Sequence, residues 1–424
     1  MKRLLAALGL VTACGGPDLG AGPVDGSRDV ADAFGNSSEA STGPGDATTE
    51  ATSDASDAGV PSMEAGPAAE CAGASVPPST LSCTGLYADI ATKTLAPGVR
   101  FYQPAVPLWS DNAQKARWIE LPPGTKIDAS NPSEWAFPVG TKVWKEFSKN
   151  GRRIETRLFQ KVGSGPPSYW VHATYAWNAD ESAAVAAGGG DIALEGDGGT
   201  YHIPTFAECE ECHNGRIDHI LGFEPISLGL DGAQGLTLAE LSSEGLLAPT
   251  PAQTKFTIGD DGTGAAAPAL AWLHINCGVT CHNANSTATA FGAGMRLRLD
   301  PALLDGRQVN SDFDPLKTTI GVPAVSPGWI QPVQWNRIVP GDPSGSLLVQ
   351  LISSRGTSNP VRGQMPPIAT SIVDTGDVAK VVDWVSKMPS PQPDAGPDGA
   401  MYDGATDASD VAPVGDGATS ADSQ

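Results

Sequence analysis

Four of the chain's seven cysteines fall in two short motifs, Cys209-Glu-Glu-Cys212-His213 and Cys277-Gly-Val-Thr-Cys281-His282, each ending in an imidazole. Two thiols at the first spacing can form thioethers to the two vinyl groups on one edge of a porphyrin, and the adjacent His can place a nitrogen under the iron. The first motif therefore has the spacing of c-type haem attachment, with Cys209 and Cys212 as anchors and His213 as the iron ligand. The second motif has one residue more between its cysteines. An α-helical turn still presents residues four apart on one face, so Cys277, Cys281 and His282 are expected to carry a second haem.

Other chemistry uses the same residue types. A redox dithiol needs a βαβ context, and the flanks of Cys209 and Cys212 do not offer one. Cys277 and Cys281 could close a strained disulfide. All four cysteines could surround one tetrahedral zinc ion, but zinc leaves the His after each pair unexplained. The other three cysteines are Cys14, near the start, and Cys71 and Cys83, close enough in sequence to close a small disulfide loop.

The elements that must position these motifs occupy the middle of the chain. Of a net charge of −22, −17 falls in residues 15–75 and 389–424, which are built from Gly, Ala, Ser, Thr, Asp and Pro. Such segments have too little apolar surface to offset the entropy of ordering them, so 14–75 is expected to be a disordered tether and 389–424 a disordered acidic tail. With no Lys/Arg cluster, the acidic chain is a poor match for nucleic acid, whose binding needs a basic face. Met1-Lys2-Arg3 followed by the apolar run Leu4 to Val11 has the form of a signal peptide, 1–13. The protein is thus expected to be exported.

Residues 76–205 read as a β-rich domain, with Trp109, Trp118, Trp135, Trp144, Trp170 and Trp177 in short β-prone runs separated by Gly and Pro. Asn150-Gly151, between Thr141 to Phe147 and Arg152 to Val162, suits the two positive-φ positions of a type I′ hairpin turn. Ser168 to Trp177 should add a strand to that sheet. From about 206 to 388 the signals are helical. Thr237 and Glu240 have the spacing of a capping box, Ala266 to Ile275 continues the trend, and Val378, Val381, Val382 and Val385 make one apolar helical stripe. The expected class is α+β: an N-terminal antiparallel β-domain, then a mainly α-helical region.

From Ala266 to Met388 the chain resembles the cytochrome c superfamily. There a helix leads into the Cys/Cys/His motif, a Met-Pro loop supplies the second axial ligand, and a final helix closes the fold. Ala266 to Asn276, Gln364-Met365-Pro366-Pro367 and Val378 to Met388 stand in that order. The resemblance implies that Met365 ligates the second iron. Ile338 to Leu348 is similar to a segment of bacterial haem-binding surface proteins that precedes the Met loop. For the first haem no Met-Pro loop is present; His172, His202, His219, His274 and Met295 are the candidates for its sixth ligand. Val11-Thr12-Ala13-Cys14 resembles a bacterial lipobox, which implies a lipid on Cys14 and a membrane anchor. The combination of lipobox, tether, Trp-rich β-domain and Cys-His motifs resembles lipoproteins of Gram-negative bacteria and implies an outer-membrane location.

Three functions follow as expectations. The first is electron transfer at the cell envelope with redox proteins as partners, which needs no substrate pocket. The second is a peroxidase-type enzyme, should the first iron keep an open position. The third is a surface lipoprotein whose β-domain binds a polymer. No P-loop, Gly-x-Ser-x-Gly elbow or dinucleotide fingerprint is present.

Overall fold

The hairpin at Asn150-Gly151 is present: φ is 54° at Asn150 and 78° at Gly151, as a type I′ turn requires. The computed structural model describes residues 71–164, 169–194, 199–304, 312–325, 334–356 and 363–390. The expected signal peptide, Cys14, the tether up to residue 70 and the tail from 391 lie outside the described residues. Residues 71–75, expected at the end of the tether, begin the described fold, and Cys71 is disulfide-bonded to Cys83 with Cα atoms 5.3 Å apart.

Strands β1 (Tyr87–Asp89) and β2 (Thr94–Leu95) pair with each other ahead of β3 (Arg100–Gln103), β4 (Gln114–Glu120) and β5 (Ile127–Asp128). The hairpin is β6 (Lys142–Lys149) and β7 (Arg152–Lys161), followed by β8 (Trp170–Trp177) and β9 (Ala184–Ala187). A separate antiparallel pair, β10 (Gly190–Ala193) and β11 (Thr200–Ile203), leads to helix α1 (Phe206–His213). Then come α2 (Pro225–Gly229), β12 (Gln234–Gly235), α3 (Leu238–Ser243), β13 (Leu247–Ala248) and α4 (Ala266–Leu273). The short α5 (Asp314–Lys317), then α6 (Leu347–Ile352) and α7 (Thr375–Lys387), complete the helices.

The main sheet has the order β12-β3-β4-β6-β7-β8-β9, with every pairing antiparallel. Alternation along the strands gives the sheet two apolar faces. One face packs Trp118, Trp144, Leu158, Tyr175 and Trp177 against Leu81 and Tyr87. The other packs Ile119, Val143 and Phe159 into a larger core with Leu270, Val381 and Trp384 from the helices. Strand β12 joins the sheet edge and β13 pairs parallel with β5. The division expected at 205 and 206 therefore separates strand-rich from helix-rich sequence, while one core runs through both.

The chain is a mixed α+β fold with a large antiparallel sheet. In α7, Val378, Val381 and Val385 of the expected stripe are buried and Val382 is half-buried. The Thr237 and Glu240 capping box starts α3.

Candidate cofactor-binding cavities

Helix α1 begins at a second capping box: the Thr205 hydroxyl accepts from Glu208 N, and the Glu208 carboxylate accepts from Thr205 N at 2.8 Å. The helix so started carries Cys209 and Cys212 three residues apart, on one face, with His213 in its last turn. Burial pushes the His213 pKa well below the ordinary imidazole range, so the ring is neutral. Its Nδ1 lies 2.5 Å from the carbonyl oxygen of His219. A carbonyl only accepts, so Nδ1 carries the proton and Nε2 keeps its lone pair. A backbone carbonyl on the second nitrogen is what fixes a ligating imidazole in metal sites. The ring is further held by stacking on Phe159, centroids 4.2 Å apart, and Phe159 stacks in turn on His172 at 4.9 Å.

A cleft opens beside His213, lined by Lys161, Trp170, His172, Arg216, Asp218 and His219. The Lys161 ammonium is 2.7 Å from both Asp218 oxygens, and Asp218 also accepts from the Trp170 indole at 2.7 Å. Arg216 is only 3% exposed and shares Glu134 with Arg298. Its Nη1 is buried with no hydrogen-bond partner among the described residues. A desolvated guanidinium with a donor to spare suits an incoming carboxylate, the group a haem carries on its propionates.

At the second motif, α4 passes into a π-helical turn, His274–Gly278. Val279 N donates to His274 O at 2.8 Å and His282 N to Cys277 O at 2.7 Å, both five residues apart. The wide turn absorbs one residue more than an α turn does. Between Cys277 and Cys281 the backbone keeps the four-residue spacing expected of an α turn, Cys281 N donating to Cys277 O at 3.0 Å. Gly278 is essential to this shape, because a Cβ on it would lie 2.5 Å from the backbone of Leu297 and Arg298.

His282 is buried, and burial pulls its pKa down to about 4, so this ring too is neutral. It faces a cavity of about 90 Å³ with Cys277, Met295, Leu297, Leu348 and Met365. A second cavity of about 90 Å³ shares Cys277, His282 and Met365 and extends to Cys281, Trp272 and Trp109. The walls are mainly apolar, so the lone pairs of His282 and Met365 are the conspicuous donors to an iron.

The two motifs pack against each other. Thr289 Oγ1 donates to Glu211 O at 2.7 Å, Asn283 Nδ2 to Gly215 O at 3.1 Å, and the Cys281 thiol to Glu211 O at 3.8 Å.

Comparisons with family models, curated proteins and solved structures found no match.

Of the residues expected near the first iron, His172 and His219 line the His213 cleft. The rest are placed elsewhere. His202 sits between Asp191 and Glu208 at the surface, and His274 accepts from Leu299 N at 2.9 Å while its other nitrogen meets Glu224. Met295 belongs to the second cavity, beside Met365. Among the described residues no three His, Cys, Asp or Glu side chains form a group able to hold a metal ion. Sequence reasoning missed Arg216 and the Thr205 cap. The cap was legible as Thr-x-x-Glu, whereas nothing in the sequence marks Arg216 as buried.

Proposed function

We propose that this chain is an exported dihaem c-type cytochrome, anchored at the outer membrane by a lipid on Cys14, that passes electrons between redox proteins. The supporting observation is the shared cavity of Cys277, His282 and Met365, since a thiol anchor, a neutral imidazole and a thioether are the three donors such a site needs. Bound haem supplies one-electron chemistry, its iron alternating between Fe(II) and Fe(III).

The chain's own residues set the conditions for that chemistry. Cys209 and Cys212 offer thiols to one porphyrin, and Cys277 and Cys281 to the other. His213 is oriented by the His219 carbonyl so that its free Nε2 can ligate. Met365 would offer a thioether beside the His282 imidazole, a donor that favours reduced iron more than a second imidazole would. Leu297, Leu348 and Ile352 keep water away from the second site. Arg216 can neutralise a propionate at the first.

The test is the haem-to-protein ratio by pyridine haemochrome, on protein matured with a c-type assembly system. Two haems are expected in the wild type, and one in each of Cys209→Ala/Cys212→Ala and Cys277→Ala/Cys281→Ala. A wild type without covalent haem would sink the reading.

A further inference from the structure

The geometry points to an oxyanion-binding site on the helix-covered face of the main sheet, built by Arg117 and Lys145 with Tyr102 and Arg157 beside them, for a small ligand bearing two negative charges. The site is made by the chain alone and does not rest on the dihaem reading.

Its basis is one row of side chains across four neighbouring strands, β3, β4, β6 and β7. The strand register sets Arg117 opposite Lys145 and Lys145 opposite Arg157. The β3–β4 register, Arg100 with Ile119 and Phe101 with Trp118, brings Tyr102 opposite Arg117 at its next step. Cross-strand partners share a face of the sheet, and Tyr102 places this row on the face packed against the helices. Every member of the row offers a hydrogen-bond donor, and three of the four are cations. Like charges directly opposite one another destabilise a sheet, so packing alone gives no reason for the arrangement.

The charges are not balanced from within. Glu155 accepts from Arg157 Nε at 3.0 Å and from its Nη2, and also from the Tyr201 hydroxyl at 2.6 Å. Lys115, the preceding residue on this face of β4, spends its ammonium on the Leu108 carbonyl and the Ser110 hydroxyl. Among the described residues Arg117 and Lys145 have no hydrogen bond or ion pair, and the Tyr102 hydroxyl is buried without a partner. Arg117 is only 2% exposed. A guanidinium keeps its charge in a protein interior, and a charge taken out of water is costly unless something pairs with it. One carboxylate against three cations leaves two positive charges, which a doubly charged oxyanion would match.

Access and donor chemistry agree. Lys145 and Arg157 are half-buried while Arg117 is buried, so the row is open along β6 and β7 and closed at β4. The planar guanidinium of Arg117 offers paired N–H donors that fit two oxygens of one oxyanion. Lys145 adds a point charge and Tyr102 a neutral donor. The next residue on this face of β7 is Phe159, which stacks on His213, so the site lies beside the first Cys/Cys/His motif. Two sources of such oxygens follow: a free oxyanion, and the propionates of a haem held at that motif.

The test is equilibrium dialysis of the full-length haem-free chain against radiolabelled sulfate at about pH 6, where Lys145 is charged, with chloride holding the ionic strength constant. One sulfate per chain is expected. Lys145→Gln and Arg117→Gln should each weaken it about tenfold, the loss of a hydrogen bond to a charged group. Lys255→Gln, which removes a cation whose side chain is 81% exposed, should leave it unchanged. Lys145 is half-buried, so its variant keeps the test open should Arg117→Gln not fold. No saturable sulfate binding, or sulfate bound equally by wild type and Lys145→Gln, would overturn the inference. Repeating the dialysis on haem-loaded protein separates the sources: sulfate retained marks a free oxyanion as the ligand, and sulfate displaced marks the propionates. Haem content is read separately by pyridine haemochrome, so failure of the dihaem reading leaves the haem-free result standing.

Discussion

A Cβ placed on Gly215 would lie 1.5 Å from the carbonyl oxygen of Thr280. The backbone two residues past His213 thus touches the backbone just before Cys281, and only the absence of a side chain permits it. Gly215→Ala should force the motifs apart and destabilise the fold by about 3 kcal/mol, the upper end for overpacking of a filled interior. Urea unfolding of the haem-free chain measures it. A loss below about 1 kcal/mol would mean that the two segments separate easily.

Met295 and Met365 line one cavity with His282, but only Met365 sits in a Met-Pro loop of the kind the sequence singled out. In haem-loaded protein, Met365→Ala is expected to lower one of the two reduction potentials and alter that haem's ligand-field spectrum, because a thioether donor stabilises reduced iron. Met295→Ala should leave that spectrum unchanged. The opposite pattern in a spectroelectrochemical titration would transfer the ligand role to Met295.

Much of this was readable because each signal was local. Asn150-Gly151 dictates its own turn, Thr237 and Glu240 cap their own helix, and the valines of α7 mark their buried face by spacing alone. The Cys/Cys/His motifs were equally plain. What could not be read depends on distant partners. That β12 returns to the sheet edge and β13 to β5, that Gly215 meets Thr280, and that Arg216 is buried beside Glu134 are consequences of packing between segments far apart in sequence. The π turn lies between these cases: the four-residue spacing of Cys277 and Cys281 was visible, but the wide turn leading into it depends on Gly278 lying against the backbone of Leu297 and Arg298.

The Cys71–Cys83 bond closes a loop of 12 residues' separation beside the face of the sheet where Leu81 and Tyr87 are buried. Tyr175 also reaches this segment, its hydroxyl donating to Pro78 O at 2.8 Å. Chain entropy alone gives such a loop about 3 kcal/mol of stabilisation. Cys71→Ser/Cys83→Ser should therefore lower the unfolding free energy by about 2–3 kcal/mol without changing haem content. An equal loss of haem would show that this segment supports the distant motifs.

Lys145 stands between Arg117 and Arg157 in the register of β4, β6 and β7. Burial first, then these two cations, pull its pKa down to about 7, and among the described residues its ammonium has no hydrogen-bond partner. In the unfolded chain a lysine titrates near about 10.4. Between those values the unfolded state binds a proton that the folded state does not, so the contribution of Lys145 to stability rises with pH across that window. Below it, the folded protein must hold the charge unpaired. Lys145→Met should stabilise the haem-free chain at pH 7 and below by about 1 kcal/mol, the low end of the cost of burying a polar group, because the side chain is only half-buried. It should also flatten the rise in stability from about pH 7 to about pH 10. Urea denaturation midpoints measured across that range decide the matter. A variant as steep as the wild type would show that Lys145 reaches water, and that the remaining slope belongs to the half-buried Lys115.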